Sequence, residues 1–307
     1  MLANVKVCWG PREESPSVAT SFFPRGLLMP LVLSPSTTAD GGPLSIELAP
    51  IVPERLADLD SAAVARLPVL ADGRPCPLGD LFTIHGDPAD GHIECVGDFS
   101  RVHRLGAAMT WGRVLVRGSV GRHAGAAMSG GMLTVTGDAG DWLAAGMTGG
   151  EVLVEGDAGE NVAAALPGDD VGVRGGLIAI NGDVGCLAGA RMRRGLLGIG
   201  GSCGEAAAFE MRAGTVLVAG RVGRRPGMGM RRGSFIALSA VPEVPPTFSR
   251  GASWSPTILP LLAGRLARAG FRAAAGRPAD AFGGVWQHWH GDLLAGGRGE
   301  IFHRLCP

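Results

Sequence analysis

Histidine and cysteine are the side chains best suited to proton transfer, nucleophilic attack or metal binding near neutral pH. This sequence holds seven of the first and six of the second. The cysteines, Cys8, Cys76, Cys95, Cys186, Cys203 and Cys306, include no Cys-x-x-Cys pair. Iron–sulfur and structural zinc sites of the usual spacing are therefore not expected, and free thiols in a reducing compartment are the reading. Of the histidines, His85, His92, His103, His123, His288, His290 and His303, only His288 and His290 cluster, with Asp292 two residues on. Strand alternation puts both rings on one face. A metal pair is geometrically open there, but a solvated or partner-facing edge strand beside Trp286 and Trp289 is favoured, and no metal site is assigned. No Ser/His/Asp or Cys/His spacing stands out. The one lysine, Lys6, leaves no GxxxxGK[ST] phosphate loop.

Two charged sets do recur. Asp98, Asp138, Asp157 and Asp183 lack the GGxGxD spacing of calcium-binding nonapeptides. Asx-type turns capping their own backbone are expected of them. Arg193, Arg212 and Arg231 recur every 19 residues, Arg194 and Arg232 follow two of them, and Arg191, Arg224 and Arg225 lie nearby.

What positions these residues is a repeat. Glycine makes up 51 of 307 residues without the every-third spacing of collagen. Aligned on Gly97, Gly118, Gly137, Gly156, Gly182, Gly201 and Gly220, the sequence steps by 21, 19, 19, 26, 19 and 19 residues. Four before each anchor stand Ile93, Val114, Leu133, Val152, Ile178, Leu197 and Val216. Two before it stand Cys95, Val116, Val135, Val154, Ile180, Ile199 and Val218, and two after it Phe99, Val120, Ala139, Ala158, Val184, Cys203 and Val222. Ten after it come Met128, Met147, Leu166, Met192, Met211 and Met230, with Met109 offset by the first insertion, as core filling. Gly131, Gly150, Gly195, Gly214 and Gly233 close the units.

Such short units cannot bury their own apolar face and must stack. The fold predicted is mainly β: a right-handed parallel β-helix of about seven coils, its stem roughly 35 Å long at ~4.8 Å per coil. Stacking places Arg193, Arg212 and Arg231 in a column. Like charges so close repel by about 1 kcal/mol per pair even at the dielectric of water. A solvated, splayed column is one reading. The other is an interface for an anionic partner, either acidic side chains of a neighbouring subunit or a polyglutamate-bearing cofactor.

Composition removes other classes. Lys plus Arg equals Asp plus Glu at 28 each, against a generic nucleic-acid binder, and no apolar run reaches the ~20 residues of a membrane span. The stretch from Gly26 to Leu33 after Arg25 is too short, and too interrupted by Pro30, for a signal peptide. The expected division is a loose arm (1–43), a lead-in or cap (44–92), the repeats (93–240) and a C-terminal helix with an edge cap (241–307). Within the flanks the expectations are a strand at LSIEL, a helix over Pro53–Arg66, a strand at LFTIHG, and a helix near Ile258–Ala269 burying Ile258, Leu261, Leu262 and Leu266.

The coil GDAGDWLAAGMTGGEVLVEGDAG, the lead-in LGDLFTIHGD, the turns MRRG and MGMRRG and the late GDLLAGGRGEI together resemble the C subunits of the formylmethanofuran dehydrogenase family, over roughly residues 44–305. The coil alone also resembles the C-terminal β-helix domain of glutamate synthase large subunits. The first resemblance implies a non-catalytic structural subunit of a cytoplasmic one-carbon complex. It would bind no cofactor itself, the methanofuran-type carrier and any metals belonging to partner subunits, with no nucleic acid and no membrane. One version of the complex is a formyltransferase/hydrolase, which moves a formyl group from tetrahydromethanopterin to the carrier and releases formate. The other is a molybdenum or tungsten formylmethanofuran dehydrogenase. The skew of 27 arginines to one lysine matches a GC-rich bacterial coding bias and favours the first. A glutamate-synthase-like channelling domain is the alternative from another class. A free-standing polysaccharide-lyase-type enzyme is disfavoured by the lack of Tyr and of a carboxylate cluster.

Overall fold

A computed structural model of the chain describes residues 29–36, 45–239, 241, 243–275 and 282–305; Lys6, Cys8 and Cys306 lie outside them. The N-terminal part carries β1 (Leu31–Pro35), β2 (Ile46–Glu47), α1 (Pro53–Leu56), α2 (Ser61–Ala65), β3 (Pro68–Ala71), β4 (Arg74–Pro77) and β5 (Phe82–His85). The repeat supplies β6 (His92–Val96), β7 (Val102–His103), β8 (Arg113–Arg117), β9 (Met132–Val135), β10 (Glu151–Val154), β11 (Arg174–Ile180), β12 (Arg194–Ile199), β13 (Thr215–Val218) and β14 (Arg232–Ala237). The C-terminal part adds β15 (Ser249–Trp254), α3 (Ile258–Arg268), α4 (Arg272–Ala275), β16 (Trp286–Gly291) and β17 (Arg298–Arg304).

The chain is mainly β. Thirteen of the described strands form one mixed sheet in the order β15-β16-β17-β14-β13-β12-β11-β10-β9-β8-β6-β1-β5, and β4-β3-β2-β7 form a second. Through the repeat every pairing is parallel, and its register follows the sequence columns. Ile93, Val114, Leu133, Val152, Ile178, Leu197, Val216 and Phe235 stand side by side, as do Cys95, Val116, Val135, Val154, Ile180, Ile199, Val218 and Ala237. A second line of parallel bridges joins Phe99, Val120, Ala139, Ala158, Val184, Cys203 and Val222. All of these side chains are buried in one core with Met109, Met128, Met147, Met192, Met211 and Met230.

Strands β8, β9 and β10 are buried on one face only. Strands β11 to β14 are buried on both, because α3 and Phe271 lie over Leu177, Leu196, Leu217 and Ile236 and make a second core. The helix keeps only part of the face expected. Leu266 is buried and Leu262 half-buried, but Leu259 and Ala263 are buried with them, whereas Ile258 and Leu261 are 51% and 69% exposed. Leu266 packs so closely on Gly198 that a Cβ there would collide with it.

Other flank expectations are also corrected. Leu31–Pro35 is no loose arm but a strand, antiparallel to β5 and parallel to β6, with Leu31 and Leu33 fully buried. The rest of that arm, 1–28 and 37–43, lies outside the described residues. The helix expected over Pro53–Arg66 is two, because Asp60 caps α2 by accepting from the Ala63 amide at 2.6 Å. An Asp72-Gly73 turn, both residues at positive φ, folds β3 onto β4; that dipeptide is a hairpin signal in sequence. The 44–48 strand is reduced to Ile46–Glu47, while the strand at LFTIHG is present as β5. At the far end β17 pairs in parallel with β14, and β16 and β15 follow antiparallel, so the last repeat strand is covered.

Two glycines report on this packing with opposite sign. Gly118 sits at φ +149° with the Gly97 carbonyl where a Cβ would go, so Gly118→Ala is expected to destabilise by about 1–3 kcal/mol. Gly264, inside α3, has open space around it, so Gly264→Ala is expected to stabilise by up to ~1 kcal/mol. Melting temperatures of the two variants, lowered and raised respectively, check the assignment.

Candidate functional site

Arginines dominate one rim of the sheet. Arg193, Arg212 and Arg231 donate their backbone amides at 2.8 Å to the carbonyls of Val173, Met192 and Met211 in the preceding repeat. Arg174 does the same to Met147 at 2.7 Å. Arg174 thus belongs to the column, although simple counting from Gly156 reaches Leu166 and Pro167 instead. The seven-residue insertion falls just after Leu166, so fully buried Val173 takes the core place expected of Leu166, which is only half-buried. Gly176 likewise joins the closing glycines, against Gly150 and Gly195. Locating the insertion before counting recovers all three residues.

Arg194 and Arg232 occupy the next column, where the C-terminal strand adds Arg298 directly beside Arg232. Arg174, Arg193, Arg194, Arg231, Arg232 and Arg298 are exposed, and Arg212 is half-buried. Among the described residues none of the seven is in an ion pair, whereas Arg191 pairs with Glu210 at 2.9 Å and Arg224 with Glu205 at 2.8 Å. Two adjoining clefts open on this rim. One, of about 290 Å³, is lined by Arg231, Arg232, Ala295, Gly296 and Arg298; the other, of about 270 Å³, by Glu210, Arg212, Gly229, Arg231, Leu294 and Ala295.

The recurring aspartates act differently from the expectation. Asp98 does cap its own turn, accepting from the Ser100 amide at 2.8 Å. Asp138, Asp157 and Asp183 instead reach across to the next repeat, accepting from the amides of Asp157, Asp183 and Ser202 at 2.8, 2.7 and 2.6 Å. Ser119 and Ser202 continue the series to the amides of Asp138 and Arg221. The anchor glycine of the next repeat makes this possible: at Gly156, Gly182 and Gly201 a Cβ would occupy the space of the carboxylate oxygen. These carboxylates tie repeats together.

The His288/His290 pair comes together as alternation requires, with ring centroids 4.0 Å apart. It is not on an edge, because β16 lies between β15 and β17. His288 is buried, stacked on Phe302 at 4.4 Å, and its Nε2 is 3.6 Å from Glu300. Burial, with His290 beside it, holds its pKa below the ordinary value. Asp292 turns away, accepting from Leu294 at 2.9 Å and Gly229 at 3.0 Å, which moors the 292–297 turn to the last repeat. Among the described residues no three His, Cys, Asp or Glu side chains are placed to share a metal ion.

A shallow polar cleft of about 570 Å³ is lined by Ser100, Arg101, His103, Ser119, Arg122, Asp138 and Asp141. His103 Nδ1 accepts the Arg122 amide at 3.0 Å, and burial first, then the neighbouring arginines, lower the pKa of His103 and His123. Among the described residues no hydroxyl or thiol is hydrogen-bonded to an imidazole. Cys95 and Cys203 face the core; burial raises both thiols, that of Cys203 to about 11, so neither is a ready thiolate. No described helix is long and apolar enough to cross a membrane.

No family model matches the chain. Over 80 residues, 26% of this chain and 30% of the relative, it is 37% identical to the C subunit of the formyltransferase/hydrolase complex Fhc of Methylorubrum extorquens. Over 102 residues, 32% of this chain and 33% of the relative, it is 30% identical to the C subunit of molybdenum-containing formylmethanofuran dehydrogenase 1 of Methanosarcina barkeri. The chain thus spans about a third of the length of the curated relatives it matches. The crystal structure of the formyltransferase/hydrolase complex FhcABCD from Methylorubrum extorquens, in complex with methylofuran, contains a chain that superposes with a TM-score of 0.81 at 34% identity. That match covers 90% of this chain and 100% of that one.

Two measurements test the site chemistry. Asp157→Ala removes the acceptor of the Asp183 amide and is expected to cost about 1–3 kcal/mol, with loss of hydrogen-exchange protection at that amide. Equal protection in both proteins would refute the cross-repeat role. His288 is harder to protonate folded than unfolded, so its contribution to stability is whole above its ordinary value of 6.5 and is lost as pH falls through the lowered folded value. Melting temperature is therefore expected to fall from pH 7.5 to 5, and less steeply in His288→Phe; an unchanged slope excludes this ring.

Proposed function

The chain belongs to the family of formylmethanofuran dehydrogenase C subunits, and on that premise we propose that it is the non-catalytic structural subunit of a cytoplasmic formyltransferase/hydrolase complex. That complex would pass a formyl group from tetrahydromethanopterin to a methanofuran-type carrier and release formate. The observation that carries the reading is the FhcABCD chain, matched over 90% of this one, flanks as well as repeats. The residues support it. The thiols with shifted pKa are raised, the shifted imidazoles are lowered chiefly by burial, and the recurring aspartates are bonded to backbone amides.

The repeat is best read as a right-handed parallel β-helix bounded by a lead-in over 44–92 and a cap over 241–307. The two lines of parallel pairing, each joining residues one repeat apart, and the amides of the arginine column donating to the previous repeat are what a coil stacked on coils requires. Unpaired buried thiols at Cys95 and Cys203 suit a reducing cytoplasm. The Methanosarcina relative favours a second reading, the corresponding subunit of a molybdenum or tungsten dehydrogenase.

Gentle affinity purification of the chain from its native host, with mass spectrometry and metal analysis, tests both. A metal-to-chain ratio below one for molybdenum and tungsten, with a formyltransferase-like and an amidohydrolase-like partner, is the expected result. Stoichiometric molybdenum or tungsten with iron–sulfur establishes the dehydrogenase reading. A chain purified alone overturns both.

A further inference from the structure

Resting on the proposed role in a complex, we propose that the arginine rim is the docking surface for an extended acidic segment of a neighbouring subunit, with Leu294 as its apolar lip. The column geometry comes first. Arg174, Arg193, Arg212 and Arg231 occupy equivalent places in four consecutive repeats, so their backbones step by ~4.8 Å and the column spans roughly 14 Å. An extended chain advances ~3.3 Å per residue, so four or five residues of a partner would run the length of the column.

The fold does not ask for this charge. In the two preceding repeats the same place, marked by an amide donating to Met109 or Met128, is held by Ser129 and Thr148. Nor does the described chain neutralise it. Glu210, on the lip of one cleft, is engaged by Arg191; Glu300, on β17, accepts from Ser234 at 3.0 Å and faces His288. Arg232 and Arg298, side by side, thicken the positive field at the end where the two clefts meet.

The lip supplies what a merely solvated column would lack. Leu294 is 87% exposed on the edge of one cleft, yet its turn is held by the two hydrogen bonds to Asp292. An exposed leucine on a held turn beside arginines suits a protein interface, where charge orients the partner and apolar contact holds it. Arginine forks take carboxylates bidentately, which selects Asp and Glu side chains over other acceptors.

The test uses the full chain assembled with its native partner subunits. Arg193→Glu/Arg212→Glu/Arg231→Glu is expected to weaken assembly about 100-fold. Leu294→Asp, which leaves every repeat intact, should weaken it about 10-fold. The variant Arg101→Glu/Arg122→Glu/Arg221→Glu carries the same charge change elsewhere and should bind within about twofold of wild type. A decaglutamate peptide should bind wild type and displace the partner from it, and should not bind the triple variant of the rim. Assembly of the rim variants within twofold of wild type, or equal weakening by the control, overturns the proposal while leaving the assignment to a complex in place. Rim variants that assemble normally but lose decaglutamate binding overturn the protein-partner assignment in favour of a polyglutamate carrier. Wild type that binds no partner overturns the proposed function and this inference together.

Discussion

The fold of this chain rests on one requirement: each repeat satisfies its backbone on the repeat before it. The amides of Gly137, Gly156, Gly182, Gly201 and Gly220 each donate to the anchor glycine carbonyl of the preceding repeat at 2.9–3.1 Å. A unit of 19 residues has no other way to pair its polar groups while burying three or four apolar side chains. The approach is so close that a Cβ at these anchors would collide with the neighbouring backbone, so the glycine column is the condition for the pairing. Side chains of the adjoining column, Asp138, Asp157 and Asp183, then add a charged acceptor to each step. A hydrogen bond to an ionised acceptor is worth about 1.5–3 kcal/mol, so three of them offset much of the entropy that glycine brings.

The same requirement makes the two ends costly, and the flanks answer it unequally. At the start, β1 pairs with β6 and is itself covered by β5. At the finish, β17 continues the parallel ladder for one more strand before β16 and β15 turn it antiparallel. Strand β15 is then a short edge with Arg250 bonded to Gln287 and most side chains exposed, a form that discourages further strand addition. Between these ends, α3 converts the outer face of β11–β14 from a wet surface into a second core. The outward positions change in burial accordingly: Thr134 of β9 and Leu153 of β10 are half-buried, while Gly198 of β12 and Leu217 of β13 are buried.

How much of this could be read in advance depended on periodicity. The three apolar columns and the anchor glycines are legible because each is fixed by pairing with its neighbours one repeat away. The register reproduces the apolar columns residue by residue, and the methionines, Leu166 excepted, lie in the core beside them. What failed was local. The insertion shifted the count by seven residues, hiding Val173, Arg174 and Gly176 behind Leu166. Helix α3 presented two apolar faces, and only contact with the sheet selects Leu259, Ala263 and Leu266. The Asp carboxylates could have bonded their own turn or the next repeat, and only the absent Cβ across the gap decides. His288 reads as an edge residue because nothing in its sequence says that β15 will pair beside it and bring Trp254 against its ring; Trp286 and Trp289 on its own strand pack into the two cores.

The arginine rim stands apart from these readings because it is the one recurrent feature the pairing of repeats does not require. Position by position the repeat spends its side chains inward: methionine and valine on the core, aspartate on neighbouring amides, glycine on close approach. At the rim column the first repeats carry Ser129 and Thr148 with the same backbone bonds, and the later ones carry four arginines whose mutual repulsion the fold tolerates without relief. Screening by solvent keeps that repulsion to about 1 kcal/mol per pair. Such a term is small enough for a stable fold to bear, yet large enough that an acidic segment laid across the column gains by removing it. With its recurring carboxylates bonded to neighbouring amides and an arginine column, unpaired among the described residues, stacked along one rim, the later half of the repeat presents a surface matched to an acidic partner.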